Sequence, residues 1–380
     1  MALESLFERR AVRDPAWTAW ASGHDFPAGG NTNAGEVVST QSALTLLVVY
    51  SAVSFIADTI GQLPVDQFRK IGGQRREVQP RAAWLDQPNP DMDSQDFITQ
   101  FIASLLINGN SYTAVLRNRF GEVAELYPLH PDDVRPIRER PGEPVRYYLN
   151  GQAYSGEILH RKAFSLPGQI VGANPIGYAR ESIGAGLAQQ KFGARFYANG
   201  TVPGIVIETP QGPETIDAEK LKEGVERFHR GTASAHRALV LTGGASAKTL
   251  AISPADAQFL EGRNFTAAEI ATGLYRIPPD VLGYALSGSK DITYQNLEHR
   301  WTELRRRCFG TWITKYERAM FSLLPRPQYV RLNDDAYLRA DVRTRYESYK
   351  VGLEAGFLTV DEVRSLEDLS PLPDTPDPTV

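Results

Sequence analysis

The sequence predicts an α+β protein with more than one domain. Helical and strand patterns come in blocks rather than in βαβ alternation. At 380 residues the chain exceeds one typical core. Its composition, 42% hydrophobic and 23% charged, suits a folded chain with a sizeable interior.

Residues 1–39 are polar and glycine-rich without a period, so a flexible arm is expected. Thr40 can cap a helix running to about Gly61, with Leu46, Tyr50, Val53, Ala57 and Ile60 stepping by four and three on one face. Ser51, Ser54 and Asp58 interrupt that run, which is too short to span a bilayer. LPVDQFRK reads as a strand that turns at Gly72-Gly73. QPNPDMDS is a proline-rich turn ending in Ser94 as a helix cap, and Ile98, Phe101, Ile102 and Leu105 follow on one helical face. Asn108-Gly109-Asn110 stops that helix. The strands SYTAVLRN, EVAELYPL, VRYYLN and AYSGEILHRKAFS follow, with NRFG and NG as hairpin turns.

The stretch Ile176–Gly200 reads as a helix rich in glycine, with Gly177, Gly184, Gly186 and Gly193 inside it. Each interior glycine costs roughly 1 kcal/mol against alanine. That cost is tolerated where a neighbour must approach the backbone, either within one domain or between packed subunits. After Pro203, GIVIET is a strand, Ile216–His229 a short helix, and ALVLTGGASAKTLAI a hairpin across Gly243-Gly244. A second helix opens at Ser253-Pro254-Ala255-Asp256 with a cap, a first-turn proline and an acid, and runs to Tyr275 before Pro278-Pro279. Two helices that leave and return to one place form an antiparallel stalk carrying a small αβ head.

GYALSGSKDIT, Gly283–Thr293, is small, polar and flexible by composition. A helix of roughly 45 Å follows from Tyr294 to about Leu324, with Leu297, Trp301, Leu304, Cys308, Trp312, Tyr316, Ala319 and Leu323 as its stripe. Two short helices come last, near Asp341–Glu354 and Asp361–Glu367, the second with a capping box of Thr359 and Glu362. The tail PLPDTPDPTV is proline-rich and expected to be disordered.

Charge and cysteine usage exclude some classes of function. A net charge of −4 and a pI of about 6.0 give no basic signature for tight nucleic-acid binding. The single cysteine excludes an intrachain disulfide framework. None of the six histidines, His24, His130, His160, His229, His236 and His299, stands in a metal-ligand spacing. Met1–Trp20 carries charges throughout and lacks the apolar core of a signal peptide.

Three fragments bear on catalysis. Thr242–Thr249 superficially matches a phosphate loop, but Thr242 and Ala247 occupy both obligatory glycine positions and a strand follows. Ser287-Gly288-Ser289-Lys290 matches the S-x-x-K of acyl-transferring serine enzymes, without their SDN and KTG elements. Asp132-Asp133 and Asp334-Asp335 are acidic pairs, and a two-metal nuclease would require several such carboxylates to converge. Arg305-Arg306-Arg307 splays around a helix, with Glu298 and Glu303 as acidic partners. On residues alone, a metal-dependent DNA-processing enzyme and a monomeric protein-binding adaptor stay open beside an assembly protein.

From about Ser51 to Pro373 the chain also resembles the portal proteins of tailed bacteriophages, the Hong Kong 97-like, lambdoid-type family. The resemblance is carried by SAVSFIADTIGQLPV, QPNPDMDSQDFITQFIASLLINGNSY, NPIGYARESIGAGLAQQKFGARFYANGTVPGIV, SPADAQFLEGRNFTAAEIATGLYRIPPDVLG and TYQNLEHRWTELRRR. It implies a portal-type fold. Residues 40–175 are the first part of an α/β wing, 176–199 and 254–276 an antiparallel stem, and 200–253 a clip. Residues 277–335 hold a tunnel loop and the long wing helix, 336–370 a short helical crown, and 371–380 a tail.

The resemblance implies a ring, usually of twelve copies, at one capsid vertex of the virion, assembled in the bacterial cytoplasm. Such a ring nucleates capsid assembly and forms the channel for genome packaging and ejection. Its implied partners are the terminase large subunit, the major capsid protein and scaffold, the head-tail connector, and double-stranded DNA held weakly and without sequence preference. No catalytic residue, cofactor, metal or membrane is implied. Ser287, Gly288, Ser289, Lys290 and Asp291 would line the channel. Gly184, Gly186, Gly193, Leu260 and Ile270 would pack the stem. Glu219, Lys222, Glu223, Arg227 and Lys248 would face terminase or the connector.

Overall fold

A computed structural model describes residues 30–140, 142–198, 205–208, 246–249, 255–284, 295–334, 342–367, 369–370 and 372. The chain is α+β, and every strand pairing among the described residues is antiparallel.

The order begins with β1 (Gly30–Asn31) and β2 (Val37–Val38), a small hairpin inside the segment expected to be a flexible arm. Thr32 closes it, its hydroxyl donating to the Glu36 carbonyl at 2.9 Å. The helix expected over Thr40–Gly61 is two helices, α1 (Thr40–Leu44) and α2 (Leu47–Gly61). Ser39 rather than Thr40 caps the first, in a capping box with Ser42. Leu46, in extended backbone, breaks the run. The break rotates the buried face, so Tyr50, expected inside, is 58% exposed, while Val49, Ala52, Ile56 and Ile60 are fully covered.

Next come β3 (Val65–Ile71) and β4 (Gln74–Glu77), joined through Gly72-Gly73 with Ile71 opposite Gln74. After the short α3 (Ala83–Asp86), Asn89 pins the proline-rich turn to a later strand by donating to the Leu126 carbonyl at 2.8 Å. Helix α4 (Ser94–Asn108) is capped by Asp93, one residue before the expected Ser94. Gly109 ends it in left-handed backbone, φ 71°.

A three-stranded sheet follows from β5 (Asn110–Arg117), β6 (Val123–Leu129) and, later, β10 (Glu157–Lys162), in the order β10-β5-β6. A second sheet holds β7 (Val134–Ile137), β8 (Arg146–Leu149) and β9 (Gln152–Tyr154), with Asn150-Gly151 as the hairpin turn. Strand β7 was not anticipated, and the expected strand AYSGEILHRKAFS divides into β9 and β10.

The glycine-rich helix is split at Ala179 into α5 (Pro175–Tyr178), capped by Asn174, and α6 (Arg180–Ala198). Strands β11 (Ile205–Glu208) and β12 (Ser246–Thr249) pair with each other, and α7 (Ala255–Glu269) runs into a π-helical turn, Ile270–Leu274. The long helix consists of α8 (Gln295–Leu304), a second π turn (Arg305–Phe309) and α9 (Gly310–Phe321). The π turn adds a residue to the repeat and shifts the buried stripe, so that Phe309, Ile313 and Met320 join Cys308, Tyr316 and Ala319 in the core. Strand β13 (Gln328–Leu332), also not anticipated, pairs with β3 to give the order β13-β3-β4. Helices α10 (Val342–Glu354) and α11 (Val360–Leu366) complete the described chain, and the Thr359/Glu362 capping box forms.

The main core lies between α2, α4 and α9 under β3 and β13. Tyr316 is fully buried there, edge-on to Phe101 with centroids 5.6 Å apart. Glu317 faces the same layer. Its carboxylate accepts from Arg331 Nη1 at 2.9 Å and from the Leu332 amide at 3.1 Å, tying the long helix to β13. A buried polar relay locks the 163–175 segment to the sheet. Asn110 donates to the carbonyls of Asn108 and Gly172, which leaves its Oδ1 to accept from the Gly172 amide at 2.6 Å and from His160 Nε2 at 3.1 Å. His160 Nδ1 then accepts from the Tyr147 hydroxyl, 3.4 Å away. Burial first, then the neighbouring Lys162 and Arg161, pushes the His160 imidazole down to about 3.

Candidate functional site

Helices α6 and α7 lie antiparallel. Ser182 Oγ donates to Glu269 Oε1 at 3.3 Å near one end, and Gln189 Nε2 donates to Thr266 Oγ1 at 3.2 Å further along. Beyond these, the Phe192 and Phe259 rings meet with centroids 5.2 Å apart. The glycines of α6 meet different neighbours. A Cβ on Gly193 would sit 3.4 Å from the Phe259 ring, on the second helix. One on Gly186 would stand 2.9 Å from Leu46 Cδ2 and 3.6 Å from Thr266 Cγ2. One on Gly184 would stand 2.6 Å from the Thr32 side chain. Gly184 thus packs against the β1–β2 hairpin rather than against α7. Ile270 is buried at the π turn, while the Leu260 side chain lies outside the described residues.

The hairpin is held along α6 at further points. The Asn33 amide donates to Glu181 Oε2 at 3.1 Å, and Lys191 pairs with Glu36. Thr32, Glu36 and Leu46 were missed as packing partners because their contacts are separated by some 150 residues of chain. The only local signal for this hairpin was the Asn33-Ala34-Gly35 turn.

The chain that leaves α6 and the chain that returns to α7 are tied together by β11 and β12, with Ile205 opposite Thr249 and Glu208 opposite Ser246. Lys248 sits on this pair opposite Val206. Ala247–Thr249 is strand, not the start of a phosphate-cradling helix. Glu219, Lys222, Glu223 and Arg227 fall outside the described residues, as do Ser287, Gly288, Ser289, Lys290 and Asp291.

The flanks of that last segment are described. Before it, the turn Pro279–Leu282 places Asp280 in an ion pair with Arg300 of α8. Deeper in, Cys308 Sγ lies 3.5 Å from the Tyr275 carbonyl, so the π turn Arg305–Phe309 touches the residue that caps the π turn Ile270–Leu274. Burial pushes the Cys308 thiol up to about 12.

Among the described residues Asp132, Asp133 and Asp334 do not converge on a metal geometry. Asp132 and Asp133 lie in a single turn after β6, exposed, with the Asp132 amide donating to His130 Nδ1 at 3.3 Å. Asp334 pairs with Arg305, and Asp335 lies outside the described residues. Arg307 pairs with Glu303 at 3.3 Å. Among the described residues no cluster of three or more His, Cys, Asp or Glu is placed to hold a metal, and no helix is long and apolar enough to cross a membrane.

Among the described residues the site consists of two paired helices, a strand pair that ties the chain between them, and an ion pair and a thiol contact across the flanks of residues 285–294. Comparison with known proteins identifies the family. The family model described as phage portal protein matches residues 47–368. The probable portal protein of Streptomyces phage phiC31 is 33% identical over 370 residues, covering 91% of this chain and 79% of that protein. The portal protein of Enterobacteria phage HK97 is 28% identical, covering 88% and 81%.

Among solved structures, the neck of an empty gene transfer agent particle computed with C6 symmetry matches with a TM-score of 0.60 at 22% identity, covering 90% of this chain and 97% of that one. An HK97-family phage portal protein from Corynebacterium diphtheriae matches with a TM-score of 0.56 at 17% identity, covering 79% and 96%. The chain belongs to the phage portal protein family.

Proposed function

We propose that the protein works as the portal of a tailed-phage or phage-like particle: copies close into a ring whose central hole passes double-stranded DNA during packaging and ejection. The observation that carries this reading is the antiparallel pair α6–α7, which joins a strand-tied insertion at one end to a doubly anchored segment at the other. In this reading the pair is the stem and residues 200–253 are the clip that docks the terminase large subunit and later the head-tail connector. Residues Ser287–Asp291 form the tunnel loop, residues 40–175 with the long helix the wing, and residues 336–370 the crown. The ring also touches the major capsid protein and scaffold at its capsid vertex.

Exposed aromatic side chains on the paired helices, Phe192 on α6 and Phe265 on α7, support contact with a neighbour. The neck structures with C6 and C12 symmetry that share this fold support the ring. The family is one of structural virion components, and no catalytic role is assigned to any residue.

The test is the oligomeric state of the purified full-length protein by light scattering and negative-stain imaging. A closed ring with a central hole is expected. A monomer that persists at high protein concentration and in the presence of capsid protein overturns the reading.

A further inference from the structure

A group of cations gathers where β10 meets α9. Arg161 Nη2 donates to the Arg318 carbonyl at 2.9 Å and to Ser322 Oγ at 2.8 Å. Lys315 Nζ donates to the Lys162 carbonyl at 2.8 Å, and Lys162 Nζ to the Gln169 carbonyl at 3.2 Å. Arg161 Nε is buried with no hydrogen-bond partner. Among the described residues no carboxylate lies within ion-pair distance of Arg138, Arg161, Lys162, Lys315 or Arg318, whereas Arg117, Arg146, Arg305, Arg307, Arg331 and Arg345 each pair with one.

The charges also feel one another. After burial, the proximity of Arg161, Arg318 and Lys162 pushes Lys315 below the usual lysine range, and Arg138 does the same to Lys162. Arg138 and Arg318 are exposed, Lys162 and Lys315 half-buried, so the group is open to solvent.

We propose that Arg138, Arg161, Lys162, Lys315 and Arg318 form a binding site for phosphate oxygens of a nucleic-acid backbone. An ammonium has three N–H donors, and each of these lysines uses one on a backbone carbonyl, which leaves donors for an incoming anion. Guanidinium groups supply paired donors to a phosphate. One carboxylate would neutralise only one of these charges. A duplex presents a charge about every 1.7 Å along its axis, which suits cations supplied by β10, α9 and the chain after β7. The site shares no residue with Ser287–Asp291, so it adds to the portal reading a second place where DNA touches the protein.

The experiment measures binding of a labelled duplex of about 30 base pairs to the full-length protein by fluorescence anisotropy, at salt from about 50 to about 300 mM. The variants are Lys315→Gln/Arg318→Gln, Arg138→Gln on a different element, and, as a control, Lys70→Ser at an exposed position on β3. The double variant is expected to bind about 10-fold more weakly at low salt, with a salt slope shallower by about 2. Arg138→Gln should lower the slope by about 1, and Lys70→Ser should leave it unchanged.

Inorganic phosphate alone, read as a rise in Tm of the wild type that the double variant lacks, would make free phosphate the source of the oxygens. No such rise, together with weakened duplex binding, makes it the nucleic-acid backbone. Either result supports the site. Unchanged duplex affinity and slope in folded variants overturn it, and so does polyglutamate binding in preference to the duplex at equal salt. Light scattering on the same samples reports ring formation separately, so a failure of the portal reading is read apart from a failure of this site.

Discussion

Gly186 lies directly beneath Leu46, with only 2.9 Å between an added Cβ and Leu46 Cδ2. The close approach is made inside one protomer, across the break between α1 and α2. Gly186→Leu should therefore destabilise the fold itself, by about 1–3 kcal/mol from overpacking. Gly193→Leu meets only the edge of the Phe259 ring and should fold, while rings close poorly. Urea unfolding and light scattering on both variants check this. A normal Cm for Gly186→Leu would refute the first part, and normal rings from Gly193→Leu the second.

Gly109 should tolerate no side chain. Its φ is 71°, and a Cβ there would collide with the Ala173 carbonyl. Left-handed strain and backbone overlap together predict a loss of about 3 kcal/mol for Gly109→Ala. A fall in Tm of less than a degree or two would show that the 163–175 segment is not seated as described.

His160 should make the protein sensitive to acid. Its folded pKa, about 3, lies below its ordinary value near 6.5. The unfolded chain therefore takes up a proton that the folded chain refuses. The stability from neutral His160 is fully present above about pH 6.5 and is lost as pH falls from there toward 3. His160→Gln should flatten Tm against pH across that window. An unchanged acid limb would assign the loss to other groups.

Cys308 should be unreactive in the native protein. With the thiol pushed up to about 12 by burial, almost no thiolate exists at pH 8. An aromatic disulfide reagent is expected to label it only at the rate of unfolding, and rapid labelling under native conditions would contradict the burial.

The clip assignment has its own test. Replacing residues 204–250 with the equivalent segment of a distant portal should abolish docking of the cognate packaging motor while rings still form. Docking retained by such a ring in a pull-down would remove the assignment.

Much of this fold is legible in the sequence where the signal is local. The Gly72-Gly73 turn, the Gly109 stop, the Thr359/Glu362 box and the face Ile98, Phe101, Ile102 and Leu105 each follow from neighbouring residues, and each is found in place. What escapes is non-local. Strand β13 is recognised only once β3, more than 250 residues away, is there to pair with it. The π turn at Arg305–Phe309 breaks the period on which a stripe is read, so Ile313 and Met320 are missed. The same limit applies to the site: the small residues of α6 are visible in sequence, but Thr32 and Leu46, which decide what each glycine accommodates, are not.

The Asp280–Arg300 pair and the Tyr275–Cys308 contact have a mechanical consequence. They bind the chain before residues 285–294 to the helix after them, so both ends of that span stand on one footing. A load on the span is carried into α7 and the long helix together. Its two ends cannot be drawn apart without first breaking an ion pair and opening the contact between Tyr275 and Cys308.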